Sequence, residues 1–312
     1  MRADRLPMAL ARAHRRLPVG GRLDLSLLRR SLPDQSADDG NDGEGRDVTP
    51  VADMRPDALV HLLVGAGFTV DEVGAGCSSD AEPARSRRSG STGFAPGEPP
   101  LPEQIAATHS PRHRPSGSAG FAGCEPPLPE QIATSPAPLL SRARRARTLP
   151  DTVGPGMRLL VCGLNPSLYA ADAGVGFARP GNRFWPAALA AGIVSVDRDP
   201  DHALHHHDVG MTDLVKRATV AAGELAPEEY RAGLRRVERL VAWLRPRAIC
   251  VVGLAGWRTA VERRATAGVQ RRPLAGVPVY LMPSTSGLNA RTPPAEHAEH
   301  LRRAARLADA PV

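Results

Sequence analysis

The sequence predicts an α/β fold: a three-layer α/β/α sandwich around a four-stranded parallel sheet, in roughly the C-terminal half of the 312 residues. Three observations predict it. From Met157 onward, short apolar runs alternate with helical patterns, as parallel strands joined by crossover helices do. The strands read as continuous apolar runs, which suits a sheet covered on both faces. Two of them run into polar loops of small residues, where such sheets place their sites.

The elements follow in order. Arg158 to Gly163 is a buried strand, and Asn182 to Ala191 a helix capped by Asn182, with Pro186 in its first turns. Val209 to Leu214 is a second short strand and turn. Pro227 opens a strong helix with Glu228 and Glu229 in its first turn, where acidic groups favour the helix dipole. Its apolar stripe is Tyr230, Leu234, Val237, Val241 and Leu244, and Pro246 stops it. Ala248 to Val252 and Val277 to Met282 are the third and fourth strands, and a helix runs from about Ala295 to Leu307.

This unit is expected to span residues 151–312. Residues 77–150 read as a linker rich in Pro, Ser, Gly and Arg. It carries a duplication: Gly93-Phe94-Ala95 leads to Glu98–Ala106, and Gly120-Phe121-Ala122 leads to Glu125–Ala133. That is either a tandem copy within a tether or a pair of polyproline peptides for a protein partner. Arg142, Arg144, Arg145 and Arg147 read as a solvated helix face that is also able to touch phosphates. Residues 1–76 read as a small α/β piece: a Gly20-Gly21 turn feeding a strand, an acidic stretch from Asp34 to Asp47, a helix from Arg55 to Phe68 and a strand at Thr69–Val73. With Gly20-Gly21-Arg22 and Ala66-Gly67-Phe68, this piece resembles the last third of a class I S-adenosylmethionine-dependent methyltransferase. The cofactor-binding Gly-rich loop of that family has no counterpart here, so the resemblance implies a remnant or docking piece, or half an enzyme completed by another chain.

The net charge of +7 favours a polyanion partner, nucleic acid first. Lys216 is the only lysine. Cys77, Cys124, Cys162 and Cys250 form no C-x-x-C pair, which argues against zinc, and the last two sit in apolar runs that read as core strands. His202, His205, His206 and His207 are expected in a solvated polar loop. No run of 18 apolar residues and no signal peptide are seen, so no membrane span is predicted and a cytoplasmic location, nucleoid-associated in a bacterium, is expected.

The chemistry lies in three stretches. Gly163-Leu164-Asn165-Pro166-Ser167-Leu168 offers an amide just past a strand end, able to orient a water by accepting its hydrogen bond. Phe177 offers a flat face for a base. Met282 to Arg291 offers backbone N–H groups and one large apolar tip, Leu288, a shape suited to wedging between stacked bases. Asn165 is otherwise a plain turn residue, Phe177 a core residue, and Arg291 either a phosphate contact or a core residue.

These stretches, with Pro180-Gly181-Asn182-Arg183-Phe184-Trp185, Thr212-Asp213-Leu214-Val215 and Arg217-Ala218-Thr219-Val220, resemble the mismatch-specific uracil/thymine DNA glycosylases, a branch of the uracil-DNA glycosylase superfamily. The resemblance implies a DNA repair enzyme with Asn165 positioning the attacking water and Phe177 stacking on a flipped base. Gly163, Leu164 and Ala170 would line the base pocket. Ser284, Ser286, Gly287, Leu288 and Arg291 would contact DNA. Ser167 departs from the family's glycine, which puts rate and affinity in question and leaves a non-catalytic DNA-binding module as the alternative. The implied reaction needs no metal or cofactor. The implied partner is double-stranded DNA with G·U or G·T mispairs, met by a monomer, and with no lysine in either motif the enzyme would be monofunctional.

Overall fold

A computed structural model describes residues 5–27, 55–75, 139–289 and 291–310. The linker duplication, the acidic stretch, Cys77 and Cys124 lie outside the described residues. The described residues belong to one compact unit, Met1–Gly76 with Pro127–Val312.

Its larger part is a sheet of five strands in the order β5-β4-β6-β8-β7. The four parallel ones are β4 (Leu159–Gly163), β5 (Val209–Asp213), β6 (Ala248–Val252) and β8 (Val279–Met282). The fifth, β7 (Gly268–Val269), runs antiparallel at the edge and was not expected. Along each strand alternate residues point to opposite faces. Leu160, Cys162, Ile249, Val251, Val279 and Leu281 enter one core with helices α6 (Pro227–Leu244) and α7 (Leu254–Ala260). Leu159, Val161, Cys250, Val252, Tyr280 and Met282 enter the other with α4 (Phe184–Ala191) and α8 (Pro294–Asp309). Both faces are dry, which is why the strands read as unbroken apolar runs.

Helix α6 shows how sequence sets the frame. Pro227 supplies a helical φ at the first position, and the Glu229 carboxylate accepts from the Ala226 N–H at 2.9 Å. Its stripe of Tyr230, Leu234, Val237, Leu240, Val241 and Leu244 is buried, each side chain worth about 1.5–3 kcal/mol. Arg245 in the left-handed region and Pro246 end it.

The N-terminal part consists of α1 (Leu6–Arg16), β1 (Arg22–Leu27), α2 (Pro56–Gly65), β2 (Phe68–Ala75) and β3 (Leu139–Arg145), with sheet order β1-β3-β2, all antiparallel. Gly20 and Gly67, both at positive φ, form the turns into β1 and β2. Here the structure corrects two expectations. Residues 139–145 are not linker, and Arg142, Arg144 and Arg145 stand on a strand, not a helix face. Strand β3 supplies the centre of this small sheet from within the same chain. Histidines 202, 205, 206 and 207 likewise lie on helix α5 (Pro200–His207), capped by Asp199, and not in a loop.

The two parts share packing. Trp243 of α6 touches both the sheet core and the N-terminal core of Leu6, Leu10, Leu59, Leu62, Leu63 and Phe68. The Asp151 N–H donates to Gly65 O at 2.8 Å, and Gly65 sits so close that a Cβ there would meet Asp151 Oδ2 at 2.5 Å. Asp151 is the centre of a buried polar cluster. Its Oδ1 accepts from Thr212 Oγ1 at 2.6 Å and Lys216 Nζ at 2.9 Å, and its Oδ2 from Arg236 Nη1 at 2.7 Å. Arg236 Nη2 also reaches Thr212 Oγ1 at 2.9 Å and the Asp213 carbonyl. Burial pushes the Asp151 carboxyl up, but Arg236, Lys216 and the Thr212 hydrogen bond outweigh it and hold the group below the ordinary carboxylate value. Removing the anion strands two cations in a dry site. Asp151→Asn is therefore expected to lower the unfolding free energy by about 3–5 kcal/mol in urea titrations, and a loss under about 1 kcal/mol would contradict the role given to this cluster.

Candidate active site

The site forms where β4 and β5 end side by side. The chain after β4 is laced to the chain after β5 by backbone hydrogen bonds: Leu214 N to Gly163 O at 2.8 Å, Val215 N to Leu164 O at 2.9 Å, Thr219 N to Pro166 O at 3.1 Å and Leu168 N to Thr219 O at 3.2 Å. Into this lacing the Asn165 side chain is pinned. Its Nδ2 donates to Thr219 Oγ1 at 2.8 Å and to the carbonyls of Arg217 at 3.0 Å and Pro166 at 3.2 Å. The two carbonyls can only accept, so the nitrogen must face them, and the orientation of the amide is fixed. Its carbonyl Oδ1 accepts nothing from the described residues and is left as an acceptor at the strand end.

Ser167 is the N-cap of α3 (Leu168–Ala173): its Oγ accepts from the Ala170 N–H at 3.1 Å. The hydroxyl is engaged in the helix cap, the common use of serine at this position. Leu164 points its side chain into the sheet core, where a Cβ on Gly256 would meet its Cδ1 at 2.6 Å. Only its backbone remains to line a pocket. Ala170 is buried in α3 at 3% exposure.

Gly163, the last residue of β4, has no room for a side chain because two groups converge on it. A Cβ there would meet Asp213 Oδ1 at 2.5 Å and Phe177 Cζ at 3.2 Å. Phe177 holds a left-handed φ of 58°, a conformation costing a non-glycine residue about 1–2 kcal/mol. What holds it is packing: its ring stacks on Phe184 at 4.2 Å, and Trp185 donates from Nε1 to the carbonyl of Gly176 at 2.8 Å. The ring is half-buried, so an aromatic surface backed by a second ring lies at the strand ends.

Asp213 was not anticipated as a site residue, although it stands in the quoted Thr212–Val215 stretch. Its carboxyl accepts no hydrogen bond from the described residues, and Lys216 Nζ is 4.0 Å from its Oδ2. Burial raises it; Lys216 and Arg236 oppose the rise and Asp151 adds to it, with a net value of about 6. The sole lysine is committed elsewhere, its side chain 7% exposed and bonded to Asp151.

The second loop follows β8. Ser286 N donates to Ser284 Oγ at 3.3 Å and Leu288 N to Ser286 Oγ at 3.4 Å, and the Leu288 side chain is 89% exposed. Asn289 Nδ2 bonds Ser284 O at 2.8 Å and Thr292 Oγ1 at 3.1 Å, and His297 of α8 donates to Ser284 O at 3.1 Å. Gly287 lies against the 180–183 segment, where a Cβ would come within 2.9 Å of Gly181 O. Arg291 is exposed, and its N–H donates to Asn289 Oδ1 at 3.3 Å, so it is not a core residue. The structure thus brings together Gly163, Asn165 and Phe177 with the unforeseen Asp213 and Thr219. It sets Ser284, Ser286, Gly287, Leu288 and Arg291 on a separate projecting loop.

An oriented carbonyl acceptor, an aromatic ring and a carboxyl gathered at the ends of β4 and β5 suit a flat heterocycle attacked by water. An exposed apolar tip on a braced loop suits contact with a stacked polymer. A model of the uracil DNA glycosylase superfamily matches residues 150–306, which takes in every residue of this site. Among solved structures, a solution NMR structure from Methanosarcina acetivorans, described as that of a candidate uracil DNA glycosylase, is similar at 20% identity. That match covers 52% of this chain and 97% of that chain, with a TM-score of 0.36.

Proposed function

Since the chain belongs to the uracil DNA glycosylase superfamily, we propose that it is a monofunctional, mismatch-directed glycosylase. In this reading it flips uracil, and more slowly thymine, out of positions opposite guanine in duplex DNA and hydrolyses the N-glycosidic bond. The observation that carries the reading is the Asn165 amide. With its nitrogen pinned by Thr219 and Arg217, its oxygen is presented to a water with no rotamer left to search. Fixing the attacking water in this way contributes about 10²–10⁴ in rate.

The other groups take complementary parts. Flipping costs a few kcal/mol, less for a wobble pair than a matched one, and so favours mispaired bases. Leu288 offsets lost stacking by entering the gap, and Phe177 receives the base. Bond cleavage gathers negative charge on the departing pyrimidine. A neutral Asp213 carboxyl can donate a hydrogen bond to it, whereas an ionised one repels it. Lys216 is buried against Asp151 and so is not offered to an abasic sugar, which supports simple hydrolysis without a lyase step.

The substrate reading is tested by alkaline-cleavage gels on G·U, A·U, G·T and single-stranded uracil oligonucleotides. The expected order is G·U first, then G·T, with little release from single strands. Equal rates on single-stranded and G·U uracil would remove the wedge, and release from none of the substrates would leave a DNA-binding module.

The Asp213 role predicts a pH profile. The carboxyl faces Lys216, Asp151, Arg236 and the Cys162 thiol, which burial holds protonated. Its value of about 6 means that the neutral form is lost as pH rises through 6. Protonation also favours the folded state, an effect complete below the ordinary carboxylate range and lost across the same rise. Single-turnover uracil release is expected to decline above pH 6, and Asp213→Asn, which keeps a donor but cannot ionise, is expected to flatten the decline. A variant with the wild-type profile would exclude Asp213 from the reaction.

A further inference from the structure

The geometry points to Arg183 as the residue that fixes the Leu288 loop in register with the base-stacking platform, an inference resting on the wedge reading above. Arg183 makes three hydrogen bonds to that loop. Its backbone N–H donates to Thr285 O at 2.9 Å, and its Nη1 donates to Asn289 O at 3.0 Å and Thr292 O at 2.8 Å. These bonds bracket the exposed tip on both sides, at 285 before it and at 289 and 292 after it.

The tip needs that bracket. Leu288 gives the loop no burial. Within the turn one backbone bond, Asn289 N to Ser286 O at 2.9 Å, closes the tip, while the bonds to the serine hydroxyls, at 3.3 and 3.4 Å, are long, and none of these ties the turn to the rest of the fold. Asn289 and His297 tie the loop to itself and to α8, but neither belongs to the element that carries the aromatic platform. Arg183 does belong to it. The next residue, Phe184, is the ring on which Phe177 stacks, and Asn182 Oδ1 accepts from the Phe184 N–H at 2.9 Å, fixing the start of α4. Gly181, on the same segment, touches Gly287. A displacement of α4 relative to the loop must therefore break the Arg183 bonds.

Arginine suits the task. Its planar guanidinium holds its direction and cannot lose its proton, so it spans two carbonyls with little rotamer freedom left to lose. A lysine has one compact ammonium on a flexible stem and would hold the loop more loosely. A loop an ångström out of place costs on the order of a hundredfold when it must act together with a distant site.

In this account Arg183 is a positioning residue, and its loss acts on the step that needs both parts at once. The test compares Arg183→Met, Arg183→Lys and wild type, at enzyme excess, on G·U duplex and on single-stranded uracil oligonucleotide. Arg183→Met is expected to lose on the order of tenfold to a hundredfold on the duplex while its slow single-strand rate stays within about twofold, with Arg183→Lys intermediate. The single-strand rate also reports folding; if Arg183→Met is unfolded, the lysine variant decides. Loss on both substrates by a folded variant, or on neither, would overturn the inference. Leu288→Ala separates the two levels. If it keeps the duplex preference, the wedge reading falls and this inference with it. If it loses the preference while Arg183→Met keeps it, only the inference about Arg183 falls.

Discussion

The structure depends first on one buried carboxylate. Asp151 gathers Thr212, Lys216 and Arg236 from β5, the turn after it and α6, and accepts the close approach of Gly65 from α2. An ionised group at such depth is tolerable only if every lone pair is used and the opposite charge is at hand. That requirement fixes the course of the chain from Thr212 to Lys216. The same stretch continues into Arg217 and Thr219, the acceptors that orient Asn165. The cluster lies apart from the candidate site, yet it bears on which way the Asn165 carbonyl oxygen points.

A second frame works beside the first. The segment from Gly176 to Trp185 carries Phe177 in a strained conformation, backs it with Phe184, and through Arg183 braces the loop that ends β8. One frame sets the Asn165 amide and the other sets the Phe177 ring and the Leu288 loop. Gly163 is the point where they meet, which is why a side chain there would strike both Asp213 and Phe177.

Much of this was legible in the sequence. Ala248 to Val252 is a strand with the predicted ends, because a strand covered on both faces has to be apolar throughout. The α6 stripe was legible for a similar reason, since one buried face imposes the helical period. Asn165 was legible as an amide just past a strand end and Leu288 as the large apolar residue of a small-residue loop, whereas Phe177, 14 positions past β4, was singled out as a flat aromatic face and by the family resemblance. Residues 139–145 were not legible as a strand because their partners in β1 and β2 lie 64 to 122 positions upstream in the register, and because arginines dominate the alternation that puts Ser141 and Ala143 inside. Asp151, Asp213 and Arg236 were missed for a related reason. A lone charged residue does not announce its partner: those of Asp151 come from 61 to 85 positions away, and Asp213 is set apart by its burial, which its near neighbour Lys216 does not reveal. Ser167 caps α3, a role that serine before a helix signals in the sequence itself.

The claim on which the account turns is that the pinned Asn165 amide performs the hydrolysis without being needed to hold the DNA. Single-turnover release of free uracil from a G·U duplex, measured beside equilibrium binding of the same duplex, tests it in one pair of assays on wild type and Asn165→Ala. The account predicts that the variant binds within a few fold of wild type and releases uracil about 10²–10⁴ times more slowly. Release at the wild-type rate by the variant would contradict it.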